Sequence, residues 1–353
     1  MDTGKRSYHF MDVLRLLSMV AIVFYHMVIQ LGITGIRQIE ATRVFYANKN
    51  MHIATVGVGL FFLLSGAGLM LAYGKDAKFS AVSFFKRRFF KILIPFYLVY
   101  AYRILLGVLC TGKKLAVFFP PERAPWRFIF TILGVDTYLS NFGVETYSLG
   151  IGEWFLGCLL LMYLLFPLLR WCMVRKPHLM GIAAVIYLLV TVFTYSMTPY
   201  ADVAPFINFT VKIFDFVAGM YLGMIRFRIP KWTLPLCLAV QAFYIFYPAY
   251  LSTPECLNIA LQFLSAFVLF RFLEPVFEKL PHFMKAVRFL CGFTYPYFLV
   301  HHLVIDLLTS RLVGLPTTNA DLALLFLSEI LVTSLLVLPL RAMHERILKK
   351  VRS

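Results

Sequence analysis

Long apolar runs separated by short polar stretches recur from about residue 10 to residue 341. A helix that crosses a membrane needs about 20 mostly apolar residues. That rule predicts ten spans, at 10–33, 52–73, 92–111, 153–171, 179–198, 208–225, 232–251, 256–273, 289–309 and 321–341. The expected fold is an all-α polytopic membrane protein, a single bundle of about ten transmembrane helices within one domain over residues 1–341. Residues 112–152 break the pattern: their one apolar run, Phe128 to Leu133, is too short to span. Such a segment is expected to be re-entrant or interfacial, because irregular backbone survives at membrane depth only against protein or a wet cavity. Long loops with some structure of their own are often lids, so this one is expected to cap an outer site. No internal repeat, low-complexity tract or soluble domain is evident.

Composition narrows the class. Only 14% of the residues are Asp, Glu, Lys or Arg and 61% are hydrophobic, whereas soluble domains carry about 25% charge. A soluble enzyme, a disordered chain and a collagen-like fibre are excluded. An even number of spans puts both termini on one side, and basic residues decide which. With the termini inside, the cytoplasmic loops and tail hold 23 Lys and Arg against 8 in the opposite loops. Both termini are therefore expected in the cytoplasm, with residues 342–353 a basic tail on the lipid surface. The net charge of +17 would suggest nucleic acid in a soluble domain. Here the cations lie between apolar runs, so their partner is the anionic bilayer and no nucleic acid is expected. Cys110, Cys158, Cys172, Cys237, Cys256 and Cys291 are dispersed and read as small buried hydrophobes. The first apolar run is too long for a signal peptide and has no cleavage site, so it is expected to stay.

Ionisable groups inside spans are costly and call for a reason. The first helix carries Asp12, Arg15 and His26. Asp12 and Arg15 are spaced to pair on one face. Arg15 and His26, eleven residues apart, share nearly the same face about 16 Å apart along the axis. That arrangement suits a ligand threaded from the cytoplasm; the plainer alternative is a snorkelling arginine and a hydrogen-bonded histidine. His301 lies in the ninth span, with His302 and Asp306 after it. The two intramembrane histidines could share proton transfer or bind a metal. No further ligand stands at a tight spacing, so no metal is expected. His301 and His302 diverge by about 100° on a helix, so at most one should face a common cavity.

Phe61 to Gly68 contains Ser65 among small residues that favour close helix packing or ligand approach. Lys86, Arg87, Arg88 and Lys91 precede Pro95 at the third span. Guanidinium groups there would hold phosphates in a bidentate fork, the alternative being ordinary anchoring. Glu153 opens the fourth span with Trp154, either as a carboxylate near an acceptor hydroxyl or as a charge favoured at a helix N-terminus. Lys212 and Asp215 look like a self-neutralising pair, and Arg103 and Glu329 should meet other helices.

Together these elements resemble the acyltransferase 3 family of integral membrane O-acyltransferases. The resemblance rests on Arg15-x10-His26 preceded by Asp12, Phe61-Phe62-x-x-Ser65-Gly66, Arg87-Arg88 before Pro95, Trp154-Phe155-Leu156 with Tyr163 and Pro167, and the late helix ending in His301. It covers the chain from the first span to the tenth. Leu16 stands where many members have Gly, and Pro296 and Phe298 where the late motif often has Gly and Tyr. The stand-alone type, without a fused extracytoplasmic domain, is the closer likeness. The resemblance implies a multi-pass cell-membrane enzyme that moves an acyl group, usually acetyl, from cytoplasmic acyl-CoA (acetyl-CoA) to a hydroxyl of a cell-envelope glycan or lipid-linked sugar. It implies His26 as general base or as an acyl-histidine nucleophile, with Arg15 and Asp12 beside it in the catalytic set. Arg87, Arg88 and Ser65 would bind the coenzyme A thioester, and Glu153 and His301 would orient the acceptor. A transporter of glycans or small solutes is the alternative class, and it would more often show paired repeats and broken helices.

Overall fold

The computed structural model describes residues 8–33, 53–247, 254–310, 312 and 318–352, and every regular element among them is helical. The expected loop 34–51, residues 1–7, and the parts of the expected spans at 52 and 248–251 lie outside the described residues. The first three helices are α1 (His9–Ile33), α2 (Ile53–Tyr73) and α3 (Ala81–Thr111). Short helices α4 (Leu115–Phe118), α5 (Phe128–Ile132) and α6 (Asp136–Ser140) follow. Then come α7 (Glu153–Arg175), α8 (Pro177–Thr194), α9 (Phe209–Met224), α10 (Thr233–Phe246) and α11 (Glu255–Phe272). The chain closes with α12 (Glu274–Glu278), α13 (Pro281–Cys291), α14 (Thr294–Thr309) and α15 (Asn319–Arg352).

Every expected span maps onto a helix, but the lengths differ. Among the described residues, seven helices are long and apolar enough to cross a membrane: α1, α2, α3, α7, α8, α11 and α15. The other three, α9, α10 and α14, have 16, 14 and 16 residues. At 1.5 Å per residue they reach only about 21–24 Å, short of a hydrocarbon core about 30 Å thick. The expected span 289–309 is broken between α13 and α14 at Gly292 and Phe293. Pro296 then falls in the first turn of α14, where its missing N–H costs nothing. α3 starts at Ala81, with Ser80 Oγ accepting the Ser83 N–H at 3.3 Å. Arg87 and Arg88 therefore stand on a helix rather than in the expected loop 74–91.

The centre of the bundle is α2, packed most extensively on α9 and then on α1. Small residues make the α2–α9 approach possible. A Cβ at Gly219 would lie 1.9 Å from the Leu63 carbonyl oxygen, and one at Gly66 would lie 2.1 Å from that of Phe216. The small residues of Phe61–Gly68 thus serve packing at Gly66, while Gly68 has nothing within 4 Å of its would-be Cβ. Gly219→Ala should accordingly lower the melting temperature in detergent by the equivalent of about 1–3 kcal/mol or more. Gly68→Ala, gaining helix propensity in open space, should leave the melt unchanged or raise it. Equal melts for the two variants would contradict this packing.

The core holds Phe62, Phe166, Phe216 and Phe263 at full burial. The lipid-facing surface is equally regular: Leu324, Leu327, Leu331, Leu335 and Leu338 are exposed at three- and four-residue intervals along α15. Two of the ion pairs lie along the helices. Lys212 Nζ meets Asp215 within α9, and Arg103 of α3 reaches Asp306 of α14 at 2.8 Å. The start of α1 is held by Glu274, whose carboxylate accepts the His9 N–H at 3.0 Å and the Phe10 N–H at 2.8 Å. Two orphan donors of the helix end are satisfied this way.

Between α3 and α7 the chain folds against the bundle. Tyr100 Oη donates to the Tyr147 carbonyl at 2.8 Å, and Tyr147 Oη donates to that of Arg123 at 2.9 Å. The Tyr138 side chain fills the space a Cβ would take at Gly157 of α7. This anchored segment delivers Gly150, Gly152 and Glu153 to the start of α7.

Candidate active site

The first cluster joins three helices far apart in sequence. His26 comes from α1, Glu153 from the first position of α7, and His301 and His302 from the middle of α14. His26 Nδ1 lies 3.0 Å from His301 Nε2. On its other side, His26 Nε2 lies 3.4 Å from Glu153 Oε1. His301 is fully buried, and its Nδ1 sits 2.6 Å from the carbonyl oxygen of Phe298.

These contacts assign the protons. A carbonyl oxygen only accepts, so His301 Nδ1 carries a hydrogen and donates it. In a neutral ring Nε2 is then the acceptor, and it takes the hydrogen bond from His26 Nδ1–H. A neutral His26 is then left with its lone pair on Nε2, where a proton taken up by the ring would be shared with the Glu153 carboxylate 3.4 Å away.

The expectation that at most one of His301 and His302 faces a common cavity is not met. The three rings form a triangle: the His26 centroid lies 4.4 Å from His302 and 5.2 Å from His301, and those two are 4.3 Å apart. His302 Nε2 also contacts Glu153 Oε1. Neighbouring positions on α14 diverge by about 100°, yet both rings reach the one that α1 brings in.

The backbone at Glu153 is unusual. Gly152 has φ +70° and Glu153 φ +46°, so two successive residues are left-handed and one of them carries a side chain. For a non-glycine residue this costs about 1–2 kcal/mol, and such strain concentrates at functional sites. Here it sets the carboxylate against His26 and His302. Glu153→Gly and Glu153→Gln both remove the charge, but only the first relieves the backbone. The Gly variant should therefore melt above the Gln variant by the equivalent of about 1–2 kcal/mol, while both lose acyl transfer. Equal melts in thermal unfolding would remove strain from the account of Glu153.

A second cluster gathers the residues expected to bind the donor. Ser65 Oγ of α2 and Tyr163 Oη of α7 are 2.7 Å apart. The Arg88 guanidinium lies 5.8 Å from the Tyr163 ring centroid, 5.9 Å from Phe84 and 6.0 Å from Tyr73. Arg87 lies 5.9 Å from the Tyr73 ring and donates from Nε to the Ser83 carbonyl at 3.1 Å. Ser65 and Arg88 therefore meet through Tyr163, a residue noticed in the sequence only as part of a motif. Tyr163 is ten residues beyond Glu153 on α7, about 15 Å along the axis.

Asp12 and Arg15 form a third group. They pair at 3.0 Å, as their spacing predicted, and Cys291 Sγ donates to the Asp12 carbonyl at 3.0 Å. Arg15 stands roughly 16 Å along α1 from His26 and Asp12 about 21 Å, rather than around its ring. Glu329, unassigned from sequence, accepts from Thr333 Oγ1 at 2.8 Å and Tyr297 Oη at 3.4 Å.

A family model described as an acyltransferase domain matches residues 8–340. The chain belongs to the acyltransferase 3 family. Members of that family are acyltransferases, and this multi-pass membrane protein is one. No curated protein and no solved structure matches it. Within this acyltransferase 3 chain, the His26 ring is held on one side by His301 and on the other by the Glu153 carboxylate. The group of Arg87, Arg88 and Tyr163 stands at a separate level of the bundle from the His26 cluster, and α7 carries residues of both. One ring nitrogen from each of His26, His301 and His302 lies within 4.8 Å of the other two. Sequence spacing could not show this, because 275 residues separate His26 from His301.

Proposed function

We propose that this acyltransferase moves an acyl group, acetyl in the simplest case, from cytoplasmic acyl-CoA to a hydroxyl of a cell-envelope glycan or lipid-linked sugar across the cell membrane. The observation that carries the reading is His26 held between His301 Nε2 and Glu153 Oε1. His26 Nε2 takes the proton of the acceptor hydroxyl as that oxygen bonds to the thioester carbonyl carbon. The carbon–sulfur bond then breaks, and the sulfur leaves with the proton returned by His26. The products are an ester and free coenzyme A. Glu153 stabilises the imidazolium while it exists, and His301 fixes the ring that carries it.

The donor side follows from the second cluster. Coenzyme A ends in phosphates, which suit Arg88 and Arg87 as bidentate donors. Its pantetheine arm is a long, narrow chain between pyrophosphate and thiol. Such an arm is the natural link between two clusters about 15 Å apart along α7. Ser65 and Tyr163 would line its path, with Arg15, neutralised by Asp12, adding a cation on the same side.

The test uses the purified protein in lipid with radiolabelled acetyl-CoA and an envelope glycan or lipid-linked sugar fraction. Label should appear as an ester on the sugar. In parallel, mass spectrometry of envelope glycans should show an added acyl mass only in cells carrying the protein. Unlabelled sugar together with identical glycan masses would overturn the reading.

A further inference from the structure

We propose that His26, His301 and His302 form a binding site for a divalent transition-metal ion, with Zn2+ as the best fit, and that the bound ion holds the enzyme in an off state. The binding part rests on geometry alone; the off state rests on the general-base reading above. Three ring nitrogens within 4.8 Å of one another are near the spacing a single ion needs. Zinc binds imidazole nitrogen at about 2.0–2.1 Å in a tetrahedron, which puts neighbouring ligand nitrogens about 3.3 Å apart. His26 Nδ1 and His301 Nε2 are already 3.0 Å apart, so the two rings need to part by only a few tenths of an ångström.

The surroundings fit a metal as well as the ligands do. Imidazoles that bind zinc usually donate their other N–H to a carboxylate or a backbone carbonyl. His301 Nδ1 donates to the Phe298 carbonyl. Glu153 Oε1 lies against Nε2 of both His26 and His302. Both outer partners are therefore present before any ion arrives. Three neutral imidazoles and no thiolate suit Zn2+, Co2+, Ni2+ or Cu2+ and do not suit Mg2+ or Ca2+, which take oxygen ligands. The fourth position is left for water.

The off state follows from one atom. Metal at His26 Nδ1 displaces the hydrogen shared with His301. The neutral ring's single hydrogen then moves from Nδ1 to Nε2, pointing at Glu153, and the lone pair that would accept the hydroxyl proton is gone. Metal binding and proton acceptance are mutually exclusive at this ring. His302 supplies the third ligand, and that is the role proposed for it.

The experiment is direct metal binding to the purified, chelator-stripped protein in detergent, competed against a chromophoric zinc chelator. One Zn2+ per chain is expected, and Co2+ in its place should give the visible absorption of a four-coordinate site. His302→Ala should weaken Zn2+ binding by at least about 10–100-fold. His178→Ala, at an exposed histidine outside the cluster, should leave it unchanged. Substoichiometric binding, no visible band with Co2+, or equal affinity in His302→Ala would overturn the site. The Co2+ band is read on the unmodified chain, so it decides the matter even if a variant misfolds. None of these measurements needs a turning-over enzyme, so they stand apart from the fate of the acyl-CoA reading. One-to-one binding with undiminished acyl transfer at saturating Zn2+ would overturn the off state alone.

Discussion

Replacing His26 with alanine should lower the turnover of acetyl-CoA-dependent acyl transfer by about 10²–10⁴-fold. A positioned general base contributes that much, and His26 is the ring held at one nitrogen by His301 and at the other by the carboxylate that would share the proton it takes up. The loss should appear in kcat, with the KM for acetyl-CoA nearly unchanged, because the Arg88 cluster lies about 15 Å away along α7. His301→Ala should cost less than His26→Ala. It removes the partner that fixes the His26 ring but leaves the base itself, which can then turn and present either nitrogen. Rates from purified variants with matched melting curves separate these effects from misfolding. Full activity in His26→Ala would remove His26 from the chemistry, and with it the reason for reading Glu153 as the stabiliser of its cation.

Much of this architecture was legible in the sequence, because lipid leaves a backbone few choices. Every backbone polar group in hydrocarbon must be satisfied internally, so the predicted apolar runs are helical among the described residues, with 289–309 broken between α13 and α14. The rule gave no warning that α9, α10 and α14 would be short. It also missed that α3 continues through Lys86, Arg87 and Arg88 before its apolar part, since a helix leaving the bilayer can carry cations on its surface. In the site, what was local was readable. The Asp12–Arg15 pair follows from three-residue spacing on one helix, and the Lys212–Asp215 pair does too. What depends on tertiary placement was not. His302 joined the site because its ring and that of His301 both pack against a ring from α1. Tyr163 joined because Ser65 of α2 faces it. The left-handed Glu153 had one sequence cue, the glycines at 150 and 152 just before it. Glycine-permitted φ values next to a charged residue suggest a backbone bent to aim that residue.

Removing both donor-side guanidinium groups, Arg87→Ala with Arg88→Ala, should raise the KM for acetyl-CoA by about 10–100-fold. A hydrogen bond to a charged group contributes about 1.5–3 kcal/mol, and about 1.4 kcal/mol is tenfold. The effect should fall on KM and leave kcat at saturating donor largely intact, since phosphates held far from the reacting carbon are bound equally in ground and transition states. A general loss of folding would lower both. The decisive control is acetylated pantetheine, which keeps the thioester and the arm but lacks the nucleotide phosphates. If Arg87 and Arg88 act on those phosphates, unmodified enzyme and double variant should use acetyl-pantetheine equally, because the deleted partners are missing on both sides of the cycle. A KM penalty that persists with acetyl-pantetheine would instead put the two arginines in the packing of Tyr73, Phe84 and Tyr163, where Arg88 already lies against three aromatic rings. Salt adds an independent reading: a phosphate contact at a partly exposed site should weaken with ionic strength, so the KM of the unmodified enzyme should rise with added salt and that of the double variant should rise less.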